Sequence, residues 1–464
     1  MSASLSSLIL IPFYTKFLSP EGYGILSSIE ALRAIAVVII TLGLERSMYR
    51  VYYDYKGVDK SRFLGTLMLG IAFVSTVVTI ALLTIAARPL QQLFPGVNFS
   101  PYFILGILTS FATSMGAVPT GYFQLSERPD IFTIFSIGKA ITSILLSVLF
   151  FLWFRWGIIG ILTANLAVEV LFSILAMSWS FKFFKFSFSV SMLKAAVGFA
   201  LPMFPSLVSS WFINMSNRVI IARYLSQADL GVYSFAQKIT SISALLGSAF
   251  MLAYQPLYYR LISERGEVEA RTELRNYSTW FVILVGISIT AIGMFSREIT
   301  LLFADSRYLQ ASALISLMGI SVFANQLTGL NNLALYQSKR TLSVMMSIVL
   351  SAVIIFILNT ALIPVFGLYG AVYAVVIAVL FNFVFTLILA RRAYRVGLNI
   401  LPILVLVIVT IPATIISLLL DQVASKWIIL MKISMFIIVF LALIYISRKK
   451  LLIAIQGFSF RRKV

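Results

Sequence analysis

Six charged residues stand inside long apolar runs, where each could do chemistry: Arg33, Lys139, Lys238 and Lys432 among the bases, Glu30 and Glu169 among the acids. A Lys or Arg at the centre of a lipid-embedded helix costs on the order of 2.5–3.5 kcal/mol to insert, and such a cost is seldom kept without a use. A buried base can hold an anion; a buried carboxylate can take up H+ or Na+, or neutralise a base beside it. Plainer roles stand next to these. Arg33 is one helical turn from Glu30 and can pair with it, Lys139 and Lys238 can serve helix packing, and Glu169 can be neutral and hydrogen-bonded. Lys432 lies near the end of its run, where its stem can carry the ammonium to the interface. The chain has no cysteine and no histidine, which excludes disulfides, thiol nucleophiles, imidazole catalysis and the usual zinc or haem ligands.

The elements that must position these groups are membrane helices. With 60% apolar and 11% charged residues, 464 residues could not clothe a water-soluble fold in polar surface. The apolar runs are about 20 residues long, the length of a helix crossing the hydrocarbon core and not of a barrel strand. Spans are expected at about 2–18, 25–44, 64–86, 102–124, 131–153, 157–178, 192–215, 230–254, 277–297, 309–335, 342–363, 367–390, 400–420 and 427–447. The fold class is thus an all-α integral membrane protein of about fourteen spans. The first run has neither a basic start nor a small-residue cleavage site, so it reads as a span and not a signal. The longest connections, about 45–63 and 255–276, carry most of the mixed-charge sequence, such as Glu264 to Arg275.

The net charge of +20 follows the topology. Assigned to alternate sides, roughly 24 Lys and Arg fall with both termini and roughly 8 opposite, including the tail runs Arg448-Lys449-Lys450 and Arg461-Arg462-Lys463. This positive-inside bias predicts a multi-pass protein of the cytoplasmic membrane with both termini in the cytoplasm. No basic domain is left over for nucleic acid. At ~1.5 Å per residue, Arg33 and Lys238 lie about 12 Å below the outer surface and Lys139 about 12 Å above the inner one.

The chain also repeats itself. Lys16-Phe17-Leu18-Ser19 and Gly24-Ile25 recur as Arg223-Tyr224-Leu225-Ser226 and Gly231-Val232, 207 residues on. Tyr49-Arg50 matches Tyr259-Arg260, and Gly157 and Gly160 match Gly367 and Gly370, both 210 residues on; Phe123-Gln124 matches Tyr336-Gln337 more weakly. Four ordered matches at offsets of 207 to 213 residues indicate two homologous six-helix halves, inserted the same way up because six is even. The expected organisation is an N-terminal lobe over 1–185, a C-terminal lobe over 186–395, and two further helices with a basic tail over 396–464. Parallel repeats place a binding site between halves that rock against each other. Arg33 and Lys238, on equivalent spans, should face a shared cavity, and Pro202 and Pro205 should bend the seventh span, since each removes an intrahelical hydrogen bond.

The stretches FYTKFLSPEGYGIL, LPMFPS and WFINMSNRVIIARYLSQADLGVYS resemble the polysaccharide exporter or O-antigen (Wzx-type) flippase branch of the multidrug/oligosaccharidyl-lipid/polysaccharide exporter superfamily. The resemblance covers essentially the whole chain. It implies a two-lobed bundle, not an enzyme, that moves a polyprenyl-diphosphate-linked oligosaccharide to the outer leaflet without a cofactor, with H+ or Na+ coupling as an option. Its partners would be the lipid-linked oligosaccharide, membrane lipids and, as candidates, a polysaccharide polymerase and chain-length proteins. Arg33, Lys139, Lys238 and Arg218 become candidates for the diphosphate, with interfacial anchoring open for Arg218 and Arg223; Glu30 and Glu169 become candidates for ion coupling. Many relatives carry an acid just before the arginine of the seventh span, where this chain has Asn217. Asn165, Asn214, Asn325, Gln326, Asn331 and Asn332 suit a sugar-lined passage or plain interhelical hydrogen bonds. The last two spans could hold the polyprenyl tail or simply pack. A MATE-type multidrug or cation antiporter fits less well, because three deep bases outnumber two deep acids; a membrane enzyme would need larger outer loops. A flippase for a lipid-linked peptidoglycan precursor is the nearest rival.

Overall fold

Apolar runs of membrane length become helices because a helix satisfies its own backbone polar groups where no water can. The computed structural model describes residues 9–126, 129–393, 412–420 and 427–441, and its regular elements there are all helical. We number them α1 (Ile11–Phe17), α2 (Pro20–Thr41), α3 (Leu44–Val51), α4 (Val58–Ile85), α5 (Ala87–Leu93), α6 (Ile104–Leu125), α7 (Pro129–Val148), α8 (Gly157–Ser180), α9 (Val190–Tyr224), α10 (Gln227–Met294), α11 (Ser296–Phe303), α12 (Ala311–Gln337), α13 (Thr341–Ala393) and α14 (Ile428–Leu441). Among the described residues nine helices are long and apolar enough to cross a membrane. Two of these, α10 and α13, are each a pair of helices joined at a non-helical glycine, Gly266 and Gly367. The fold is therefore an all-α, multi-pass membrane protein. The expected spans at 2–18, 400–420 and 427–447 lie partly outside the described residues, and both basic runs of the tail lie wholly outside them.

One expected connection is helical. The charged stretch around 255–276 continues α10 on both sides of Gly266, and Arg265 reaches Glu273 at 3.0 Å across that break. Charged residues can extend a helix past the apolar run, which hydropathy alone does not register. Pro202 and Pro205 both lie inside α9, which runs without interruption from Val190 to Tyr224.

The chain forms two compact units, Met1–Ser234 and Phe235–Val464. In the first, Phe63, Leu64 and Leu67 of α4 pack with Leu44 and Met48 of α3, Val118 of α6 and Met192 and Ala196 of α9. In the second, Tyr254, Leu274, Phe281 and Val285 of α10 pack with Leu327 and Leu330 of α12 and Val439 of α14. Each unit carries the same glycine device. Gly157 opens α8 and Gly367 divides α13, both with φ 57, a left-handed conformation that a side chain would strain. A methyl at Gly160 would fall 2.9 Å from the Phe150 carbonyl oxygen, and one at Gly370 would fall 2.2 Å from that of Leu362. Gly157 and Gly367 thus share a left-handed φ, and Gly160 and Gly370 each press on a backbone carbonyl earlier in the chain.

A second pair of repeat-equivalent positions meets directly inside the first unit. Ser19 caps α2, its side chain accepting from the Gly22 amide at 3.2 Å, with Pro20 at the first helical position. Four residues later Gly24 lies against Gly231 of α10, so closely that a methyl on Gly24 would sit 1.8 Å from the Gln227 carbonyl oxygen and one on Gly231 would sit 1.9 Å from that of Pro20. One turn further, the hydroxyls of Ser27 and Ser234 are 2.5 Å apart. Small residues at such spacing let two membrane helices approach backbone to backbone.

Candidate functional site

Four of the singled-out charges line one cavity of about 410 Å³ within the first unit: Glu30 and Arg33 from α2, Lys139 from α7 and Glu169 from α8. Tyr14 of α1 and Asn165 of α8 also line it. The cavity falls in the size range of small-molecule sites, but its charged lining sets it apart from the usual apolar pocket.

Glu169 is the centre of the cluster. Its Oε2 accepts from Lys139 Nζ at 2.7 Å, a short charge-assisted bond, while its Oε1 stands 3.9 Å from an Arg33 guanidinium nitrogen, beyond hydrogen-bond reach. Arg33 Nε is buried and has no hydrogen-bond partner among the described residues. A guanidinium has donors in a planar fork suited to carboxylate or phosphate. The site therefore holds two cations against one shared carboxylate, with the arginine's donors left largely unused.

Glu30 looks the other way. Arg218 of α9 is buried and donates to Glu30 Oε2 at 2.9 Å. Trp211 of α9 fixes the same pair of helices, its indole N–H donating to the Ala31 carbonyl at 2.9 Å. Asn217 donates to the Tyr233 hydroxyl at 2.6 Å. Arg218 is thus a buried ion-pair partner, whereas Arg223 is exposed. Arg33 was one option as the partner of Glu30, but the arginine at hydrogen-bond distance comes from α9, because a carboxylate on a helix face can reach a neighbouring helix as well as its own next turn.

In the second unit Lys238 is half-buried on α10 and forms no ion pair with a described residue. Lys432 overturns the expectation of snorkelling: it is 0% exposed, and its ammonium donates to both oxygens of Glu298 at 2.9 and 3.0 Å. The short helix α11 carries that carboxylate back to α14, so the charge is neutralised in place. The amides divide. Asn165 lines the charged cavity. Gln326 donates to the Ala244 carbonyl at 2.8 Å and Asn331 to the Thr386 hydroxyl at 3.2 Å, both bridging helices. Asn214 bonds within its own helix.

The chain resembles known proteins in sequence and in fold. The family model described as "Polysaccharide biosynthesis protein" matches residues 1–262, and the MatE family model matches residues 202–361. The chain is 22% identical over 396 residues to the "Probable low-salt glycan biosynthesis flippase Agl15" of Haloferax volcanii, which spans 80% of this chain and 77% of that protein. Among solved structures it superposes on the lipid II flippase MurJ in an inward closed conformation with TM-score 0.78 at 14% identity, covering 96% of this chain and 97% of that one. An inward-facing MATE multidrug transporter superposes with TM-score 0.67 at 13% identity, covering 85% and 94%. These superpositions show a shared fold.

Proposed function

The chain belongs to the polysaccharide biosynthesis protein family, and on that premise we propose that it is a flippase carrying a polyprenyl-diphosphate-linked oligosaccharide, such as an O-antigen, capsule or exopolysaccharide repeat unit, from the inner to the outer leaflet of the cytoplasmic membrane by alternating access. The observation that carries this reading is the charged cavity in the first unit. An apolar bundle that only packed would not keep two bases beside open space, since each is expensive in low dielectric. A diphosphate repays that cost. Arg33 and Lys139 supply positive charge for it, and Lys238 and Arg218 are further candidates along its route.

Deleting the gene in its own host tests the reading. Surface glycan should disappear and lipid-linked repeat units accumulate, with both restored by a plasmid copy. Death with accumulation of lipid-linked peptidoglycan precursor would assign the rival substrate, and an unchanged glycan and lipid-carrier pool would remove the flippase reading.

The positive-inside bias supports an orientation with both termini in the cytoplasm. The cysteine-free sequence makes this directly testable. Cysteines placed singly at the exposed positions Lys56, Lys185 and Glu264 should resist an impermeant thiol reagent in intact cells, while those at Gln92 and Ser306 should react. The opposite pattern inverts the topology.

A further inference from the structure

Three observations about Glu169 belong together. It is the carboxylate that Lys139 and Arg33 share, it is at hydrogen-bond distance only from the lysine, and it stands at the wall of a cavity with room for another anion. We propose that Glu169 is the resident counter-anion of this site: it neutralises Lys139 and Arg33 while the site is empty and is withdrawn from them when a diphosphate takes its place. The proposal deepens the flippase reading and rests on it.

The physical reason lies in the empty carrier. Two unpaired cations in a low-dielectric cavity would be costly, so a site built to hold an anionic headgroup needs a substitute anion whenever the headgroup has left. Glu169 meets that need because it is covalently attached and therefore always present. The cost is competition, since every diphosphate that binds must displace the carboxylate from Lys139. Such an arrangement favours release and the return of the empty site over tight binding. The other charged or titratable groups facing the cavity do not duplicate the role. Glu30 is held by Arg218, and Tyr14 offers a neutral hydroxyl.

Removing the resident anion should therefore separate affinity from turnover. In Glu169→Gln the side chain keeps its size but no longer neutralises the bases. The full-length protein in nanodiscs should then bind inorganic pyrophosphate about tenfold more tightly than the wild type, the scale of one charge-assisted contact. Export of glycan in cells should fall at equal protein levels, because the loaded or unneutralised site turns over slowly. A tighter pyrophosphate complex with slower export supports the proposal. The gain in affinity should vanish in Glu169→Gln/Lys139→Gln, which removes the lysine the anion would occupy. Should Glu169→Gln not fold, Glu169→Ala is expected to shift affinity in the same direction.

A folded Glu169→Gln protein that binds pyrophosphate no more tightly than the wild type overturns the proposal, since a merely structural ion pair predicts lost stability without gained affinity. The two readings fail separately. Normal dependence of surface glycan on the gene with no affinity gain leaves the flippase and removes the counter-anion. An affinity gain in a protein whose deletion leaves glycan export intact does the reverse.

Discussion

Arg33→Glu and Lys238→Glu should each abolish glycan export at normal protein levels, whereas Arg33→Lys and Lys238→Arg should keep most of it. In Arg33→Glu a third carboxylate joins Glu30 and Glu169 around the same cavity, and Lys139 is the base left among its lining residues, with Arg218 engaged by Glu30. Hydrogen bonds to charged groups contribute about 1.5–3 kcal/mol each, so losing one while adding a repulsion lowers transport by roughly 100-fold or more. Lysine in place of arginine loses the planar fork but keeps the charge, and lysine binds phosphate as a point charge. Lys238 has no ion pair among the described residues, so reversing its charge breaks no observed bridge and the effect reads on the substrate. Export is read as surface glycan in the deletion strain, with membrane levels of each variant measured alongside. Exchanging Glu30 and Arg33 is a useful control. It should not rescue, because the hydrogen-bonded partner of Glu30 is Arg218 at 2.9 Å and the exchange would set two arginines together. A fully active Lys238→Glu protein would take Lys238 off the diphosphate's route.

Much of this site was legible as a set of residues but not as a set of contacts. Hydropathy isolates charges that interrupt apolar runs, and Arg33, Lys139, Glu30 and Glu169 do line one cavity. Their pairing was partly within reach. Counted from the shared end of their spans at ~1.5 Å per residue, Lys139 and Glu169 stand about 12 and about 13 Å deep on consecutive helices, a match that signals a bridge. Arg218 offered no such signal, since its partner lies 188 residues away and helix neighbours in a bundle are not fixed by hydropathy. Lys432 misled for a different reason. The acid that pairs with it comes from α11, a short helix in a segment that composition marks as a connection. Depth along a helix is a sequence property; which helix lies alongside is a tertiary one.

The sequence matches singled out Gly24 and Gly231 as corresponding positions but not as neighbours, and their contact yields the largest stability effect expected here. Gly24 and Gly231 stand 207 residues apart and press on each other's helix, each one's absent methyl aimed at the carbonyl oxygen four residues before the other. A methyl at 1.8 or 1.9 Å from backbone oxygen cannot be relieved by a rotamer change; α2 and α10 would have to separate where they cross. Overpacking a core costs typically about 1–3 kcal/mol, and a clash with backbone belongs at or above the top of that range. Gly24→Ala and Gly231→Ala should therefore each lower the melting temperature of the purified protein markedly, or prevent it from accumulating in the membrane. Gly198→Ala supplies the control, because a methyl there meets nothing within 4 Å and alanine favours the helix. The double variant should be less damaging than the sum of the two, since the first methyl already opens the crossing that the second needs. If both single variants melt with Gly198→Ala, the close approach is not required for packing. Fully additive losses would instead mean that the two glycines act at separate contacts.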